Sequence, residues 1–390
     1  MIAAEILRIL FYLILGVPAV FFGAYAVVIL YYGRMNQKST EDTGRNDIEH
    51  KFEPLVSVVV ATHNEEMVIS KKIENLVSSD YPPNKTEIVF VDDSDDSTPE
   101  IIRKYSERES NIRLLRFEKR MGYSPSMIAG CKAAKGEILV LNDAASFLDS
   151  HAISNMVARL KNPSIGVVTG KDIILNTNEE VGKSESLYQR LYNYFRTSET
   201  NMDSTFYIKG EATAVRSALL KDLEVSTETF DTTVGLVARQ KGYKIVYDPT
   251  VSFYEYAPMT HSGRVKQKTI RAANLIKVLW RFRHMMFKRE YGKYGYLIMP
   301  ANFAMLVLLP LVVAVCVILL AILTFLDFGF ALFIWCALGV GCLSVLVFSR
   351  HLMSTFFEFE YSLLKAIYQV VCTRKTHDKI DKVASTRRLP

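Results

Sequence analysis

The chain of 390 residues is poor in cysteine, and its five cysteines form no CxxC pair, so neither a disulfide framework nor a zinc site is supported. Cys316, Cys336 and Cys342 lie in apolar stretches, Cys131 stands alone in the polar region, and Cys372 is near the C-terminal tail. Two nucleotide-binding signatures are also missing. The loop after the first predicted strand reads ATHNEE where a dinucleotide fold would carry GxGxxG, and no GxxxxGK[ST] occurs anywhere. Charge is missing altogether from residues 9–32, 294–326 and 328–349. Each of these runs can cross a hydrocarbon core of about 30 Å, which takes roughly 20 helical residues.

What is present agrees with a bilayer. The hydrophobic content of 49% lies above the range of most soluble chains. The first apolar run exceeds the roughly 7–15 residues of a secretory signal core, and no small-residue cleavage site closes it, so it reads as a retained anchor. Lys and Arg gather at one set of ends: Arg34, Lys38 and Arg45 after the first run, Lys288, Arg289 and Lys293 before the second, Arg350 and the tail after the third. The turn between the second and third runs carries only Asp327. The basic flanks therefore belong on the cytoplasmic side of a multi-pass cell-membrane protein, with the polar region between them. The net charge of +6 sits beside the membrane runs, which makes anionic lipid headgroups the expected partner and nucleic acid an unneeded one.

The expected organisation is an anchor at 1–33, a polar linker at 34–53 and a cytoplasmic α/β domain at 54–263. A basic amphipathic interfacial region at 264–293 and two transmembrane helices within 294–350 follow. The remainder, 351–390, reads as an interfacial or re-entrant helix and a basic tail. Glu358, Glu360 and Lys365 make a further crossing there costly.

Within the polar region, PLVSVVVATHNEE reads as a buried strand ending in a polar loop, and MVISKKIENLVSS has helical spacing. The scheme repeats through KTEIVFVDDSDDSTPEIIRKYSERE, IRLLRFEKRMG, SPSMIAGCKAAKG and EILVLND. Strands alternating with helices predict a doubly wound, mostly parallel sheet, in which ligands bind beyond the carboxyl ends of the strands. The loops at 63–66, 92–96 and 142–143 should therefore converge on one crevice. A strand-end acid such as Asp93 can cap the next helix, or accept hydrogen bonds from a base or sugar hydroxyl. Asp143 can serve as a metal ligand, since Mg2+ and Mn2+ take oxygen donors and often bind through one or two carboxylates plus substrate phosphates. Asp231 opens a helical stretch ended by Gly242, so by position it is a candidate helix cap.

VSVVVATHNEE, VFVDDSDDST, GEILVLNDA, YIKGEATAVR and STETFDTTVGLVARQKGYKIVYDP, in this order and spacing, resemble a membrane-embedded inverting family 2 glycosyltransferase over roughly residues 54–289. The resemblance implies a GT-A fold, a nucleotide diphosphate sugar donor and Mg2+ or Mn2+. It assigns Glu65, Asp93, Asp143, Gln267 and Arg271 to donor binding, Asp143 also to the metal, and Asp231 to general-base catalysis. The acceptor would be a membrane lipid, a lipid-linked glycan or a polysaccharide. Three positions depart from the family pattern. The second acid of the DxD motif is Ala145, a lysine frequent before the third helix is Tyr123, and the QxxRW motif survives only as Gln267 and Arg271 at altered spacing, with Ala272 in place of Trp. A catalytically degenerate nucleotide-binding protein and a polyprenyl-phosphate glycosyltransferase are the alternative readings.

Overall fold

The computed structural model describes residues 2–34, 52–221, 229–258 and 260–372. The expected linker, apart from its ends, the Glu228 position of ETFD and the basic tail lie outside the described residues.

Helix α1 (Ile2–Arg34) precedes a regular βα alternation. It begins with β1 (Val56–Thr62), α2 (Ile69–Val77), β2 (Thr86–Asp92), α3 (Thr98–Ser106), β3 (Ile112–Arg116), α4 (Tyr123–Ala133) and β4 (Ile138–Asp143). It continues with β5 (Phe147–Leu148), α5 (Ala152–Leu160), β6 (Ile165–Ile174), α6 (Glu180–Met202), β7 (Thr213–Arg216), α7 (Phe230–Gln240), β8 (Lys244–Glu255) and α8 (His261–Arg281). Every residue of β1 and β2 is buried, because helices cover both faces of the sheet; hence these strands are apolar throughout instead of alternating. Val58 and Val60 face a core shared with Ile73 and Met156, while Val59 faces the opposite core with Met127, Leu139 and Val234.

The eight strands run in the order β3-β2-β1-β4-β7-β6-β8-β5. β3, β2, β1 and β4 are mutually parallel, and β6 is parallel to β8. β7 runs antiparallel to both β4 and β6. This reversal matters for the site, because the start of an antiparallel strand shares an edge with the ends of its neighbours. Gly210, Glu211 and Ala212, which lead into β7, therefore lie at the same edge as the carboxyl ends of β1, β2 and β4.

After α8, the run Tyr294–Leu326 joins two π-helical segments with α9 (Met299–Phe303) and α10 (Leu309–Leu326). With α1 it supplies two helices of 33 residues each that are long and apolar enough to cross a membrane. α11 (Phe328–Cys372) starts with a shorter apolar stretch, Phe328–Val340. Arg8 of α1 pairs with Asp327 in the α10–α11 turn, and the rings of Phe11 and Phe330 meet edge to face at 6.0 Å. At its other end α1 docks on α6: Tyr25 donates to Glu199 (3.1 Å) and Asn201 donates to the Tyr32 carbonyl (3.0 Å).

Two parts of the expected organisation take a different form. Residues 352–372, read from the sequence as a helix apart from the third apolar run, continue α11 without a break in the backbone helix. Glu358, whose charge argued against a crossing, meets Arg264 at 2.5 Å and His261 at 2.7 Å on α8, while Leu363 and Ala366 are fully buried. The basic segment 264–293 is likewise divided. α8 buries Ala272, Leu275, Ile276, Val278 and Leu279 in the junction core with Tyr294 and Ile298. Only its far end presents an aromatic and basic surface, with Trp280 59% and Phe287 65% exposed beside Arg281, Arg283, Lys288 and Arg289.

Candidate active site

The carboxyl ends of β1, β2 and β4 form the floor of the crevice. At the end of β2, Asp92 is fully buried and satisfied by Thr62 (2.7 Å), Ser94 (2.7 Å) and Arg116 (2.8 Å), so it is a structural acid of the strand end. Asp93 is the acid that turns toward the loops. One of its oxygens lies 2.9 Å from His63 Nδ1, and the other accepts the backbone N–H groups of Met121 (2.7 Å) and Gly122 (3.3 Å). Glu65 is buried just beyond β1, its own N–H donating to Thr98 Oγ1 at 2.9 Å.

Asp143 ends β4, and its Oδ1 is buried with no hydrogen-bond partner. A carboxylate oxygen left dry in this way suits a cation, since an unpaired buried acceptor is otherwise costly. No group of three or more His, Cys, Asp or Glu side chains that could hold a metal occurs among the described residues. With Ala145 in place of an acid, the loop after β4 turns back through Ser146 and leaves Asp143 the one carboxylate of that turn. Asp143 therefore fits a divalent ion as a single protein ligand, provided that donor phosphates complete the shell.

Behind this loop stands Lys72 of α2, fully buried. Its ammonium donates to Asn142 Oδ1 and to the Ser146 carbonyl, the latter at 2.5 Å. Burial pulls its pKa down to about 7, against the opposing charge of Asp143.

Asp231 lies at the start of α7. Its Oδ2 accepts the Gly210 N–H at 3.1 Å and its Oδ1 accepts the Thr232 N–H at 2.8 Å. Burial, and then the charge of Glu211, lift its pKa to about 6 despite those two bonds. Glu211 itself accepts from Arg271 Nη2 at 3.1 Å. Burial would raise the Glu211 carboxyl, but the charges of Arg271 and Lys209 prevail and hold it below its usual value. Two neighbouring acids are thus pushed apart, one kept ionised and one poised near neutrality, an arrangement suited to a general base. Arg271 reaches into the crevice from α8, within electrostatic range of Asp143 as well as Glu211. Gln267 is half-buried one turn earlier on the same helix.

The residues singled out in the sequence therefore gather from five elements at one edge of the sheet. Sequence reasoning missed Glu211, Lys209 and Lys72. Glu211 and Lys209 lay within the quoted YIKGEATAVR run, but that run carries no signal that the chain reverses there and brings its acid beneath Arg271, 60 residues away. Tyr123, read as a departure from pattern, stands inside the site, its hydroxyl hydrogen-bonded to Asp143.

Part of the chain matches known proteins in sequence, and most of it does in fold. The family model Glycosyl transferase family 2 matches residues 57–223. A poly-beta-1,6-N-acetyl-D-glucosamine synthase of Staphylococcus epidermidis is 26% identical over 255 residues, covering 64% of this chain and 61% of that protein. The synthase of the same name from Staphylococcus aureus strain COL is 27% identical over 242 residues, covering 60% and 58%. The chain thus spans less than two thirds of the length of these curated relatives. Among solved structures, a mannosyltransferase from Pyrobaculum calidifontis in complex with GDP-Man and Mn2+ superposes with a TM-score of 0.75 at 22% identity, covering 94% of this chain and 100% of that one. The sequence match and the sheet order converge: residues 57–223 match the glycosyl transferase family 2 domain, and the fold is GT-A.

Proposed function

We propose that the protein transfers a sugar from a nucleotide diphosphate donor to a hydroxyl group of a membrane-associated acceptor, with inversion, in a single displacement. The observation that carries this reading is Asp231, an acid with a pKa of about 6 at the crevice rim beside Gly210. General-base catalysis is most efficient when the base titrates near the working pH and can reach the proton it removes. At neutral pH Asp231 is ionised and takes the acceptor proton as the oxygen attacks the anomeric carbon. An acceptor phosphate arrives already ionised and gives such a base nothing to do, which favours a hydroxyl over a polyprenyl phosphate.

The remaining residues bind and orient the donor. Asp93 and Glu65 border the nucleoside end, and Arg271 offers a planar guanidinium to the diphosphate, whose oxygens it can engage in pairs. Mg2+ or Mn2+, when bound on Asp143 Oδ1, would neutralise charge developing on the departing diphosphate. The poly-beta-1,6-N-acetyl-D-glucosamine synthases among the relatives make a polysaccharide the first acceptor to test, beside a glycolipid and a lipid-linked glycan. The apolar helices hold the domain at a bilayer, with the catalytic domain cytoplasmic and the surface around Trp280, Phe287, Lys288 and Arg289 resting on anionic headgroups.

The test is release of nucleoside diphosphate by the purified protein in lipid nanodiscs, offered UDP-GlcNAc, GDP-Man and related donors with Mg2+ or Mn2+ and a lipid extract. We expect one donor to be consumed only in the presence of acceptor. Absence of turnover with every donor, alongside intact nucleotide binding, would favour a binding protein instead.

A further inference from the structure

Tyr123 is one of the three departures from the family pattern, yet its surroundings give it a defined task. Asp93 Oδ2 holds the N–H groups of Met121 and Gly122, and Gly122 adopts φ +86°, a left-handed conformation that glycine takes without penalty. The turn so made starts α4 at Tyr123 and sends the phenol across the crevice toward β4. There its hydroxyl hydrogen-bonds the Asp143 carboxylate. A methyl group on Gly210 would lie 3.3 Å from the Tyr123 hydroxyl and 3.3 Å from Asp231 Oδ2, so the phenol oxygen and the candidate base flank the same glycine. The phenol is therefore set among the carboxylates of Asp143, Asp231 and Glu211, which come from three separate places in the chain.

We propose that Tyr123 is a positioning residue for Asp143: its hydroxyl engages the carboxylate, fixes the rotamer, and leaves Oδ1 as the oxygen offered to a cation and donor diphosphate. In this site a phenol supplies from α4 the restraint that a second acid at position 145 does not. It also ties the two ends of the donor together, since the carboxylate beside the nucleoside, Asp93, is the group that places Tyr123. The proposal rests on the reading of Asp143 as the cation ligand given above.

The experiment uses Tyr123→Phe, which removes one oxygen and keeps the ring, in the full-length protein in nanodiscs. Binding of UDP and of GDP is measured by calorimetry with Mn2+ and again with the metal chelated, and Mn2+ binding is followed by paramagnetic resonance. We expect Tyr123→Phe to weaken Mn2+-dependent nucleotide binding about tenfold while leaving the chelated value unchanged, a split that general loss of structure would not produce. Asp143→Ala serves as the reference. If Asp143→Ala abolishes the Mn2+ effect and Tyr123→Phe keeps parent affinity, the role of Tyr123 is refuted while that of Asp143 stands. If neither variant alters it, both readings fall. A thermal melt of Tyr123→Phe lowered together with equal losses in both binding conditions would assign Tyr123 to packing and overturn the proposal.

Discussion

At the scale of single residues, chemistry at this crevice turns on how acids are kept unlike one another. Asp231→Asn retains size and capping ability, because Asn and Asp are comparable at helix starts, but it cannot accept the proton. Transfer to a hydroxyl acceptor is expected to fall at least about a hundredfold with donor binding preserved; near-parent rates from the purified variant would demote Asp231 to a cap. Glu211 sets the pH range. Its charge raises Asp231, so the rate should climb as pH rises through about 6, where Asp231 loses its proton. Glu211→Gln removes that charge and frees Arg271, whose own charge lowers the pKa of Asp231. Both effects favour the ionised base, and the acid limb of the kcat/KM profile should move to lower pH. An unmoved limb would show that the limb reports another group.

At the scale of elements, a short reversed strand assembles the site, and a buried charge ladder behind it holds the elements in register. Arg196 on α6 is fully buried, donates to Asp172 of β6 at 3.0 Å and to the Gly170 carbonyl at 3.0 Å, and lies 4.7 Å from the Tyr247 ring centre on β8. Lys209, just before Gly210, completes the ladder at 3.0 Å from Asp172. Removing one member of a buried pair leaves the other desolvated, which costs about 3–5 kcal/mol. Arg196→Met should therefore lower the unfolding midpoint in detergent clearly, and loosen the 209–211 segment enough to reduce kcat. Unchanged stability would mean that Lys209 alone satisfies Asp172. None of this was visible in the sequence beyond the strand pattern, because Asp172, Arg196 and Lys209 are ordinary polar letters until β6, α6 and the turn before β7 are stacked.

At the scale of the whole molecule, α1 and the Tyr294–Leu326 run are fastened at both ends, by Arg8 with Asp327 at one and by Tyr25, Tyr32, Glu199 and Asn302 at the other. Phe287 donates its N–H to the Gly295 carbonyl at 2.9 Å, which sets the exposed ring beside the first turn of that run. With Trp335 replaced by Phe, Trp280 is the sole tryptophan. Its fluorescence should be quenched by lipids brominated near the headgroup, more strongly in anionic than in zwitterionic nanodiscs. Equal, weak quenching in both would place this surface away from the bilayer.

What the sequence determined by itself was whatever depends on neighbours in the chain. Apolar runs with no polar interruption specified the buried strands and the long apolar helices, since burying such runs stabilises them wherever they pack. The positions of Asp93, Asp143 and Asp231 followed from where those runs stop, because strand and helix ends are where an acid can face a ligand. The tertiary structure decided what depends on separation in space. Only the antiparallel entry of β7 brings Glu211 beneath Arg271, only the Asp93-bound turn carries Tyr123 to Asp143, and only the packing of α11 on α8 gives Glu358 its partners Arg264 and His261. Charge interactions fall off with distance and depend on burial, neither of which is written in residue order.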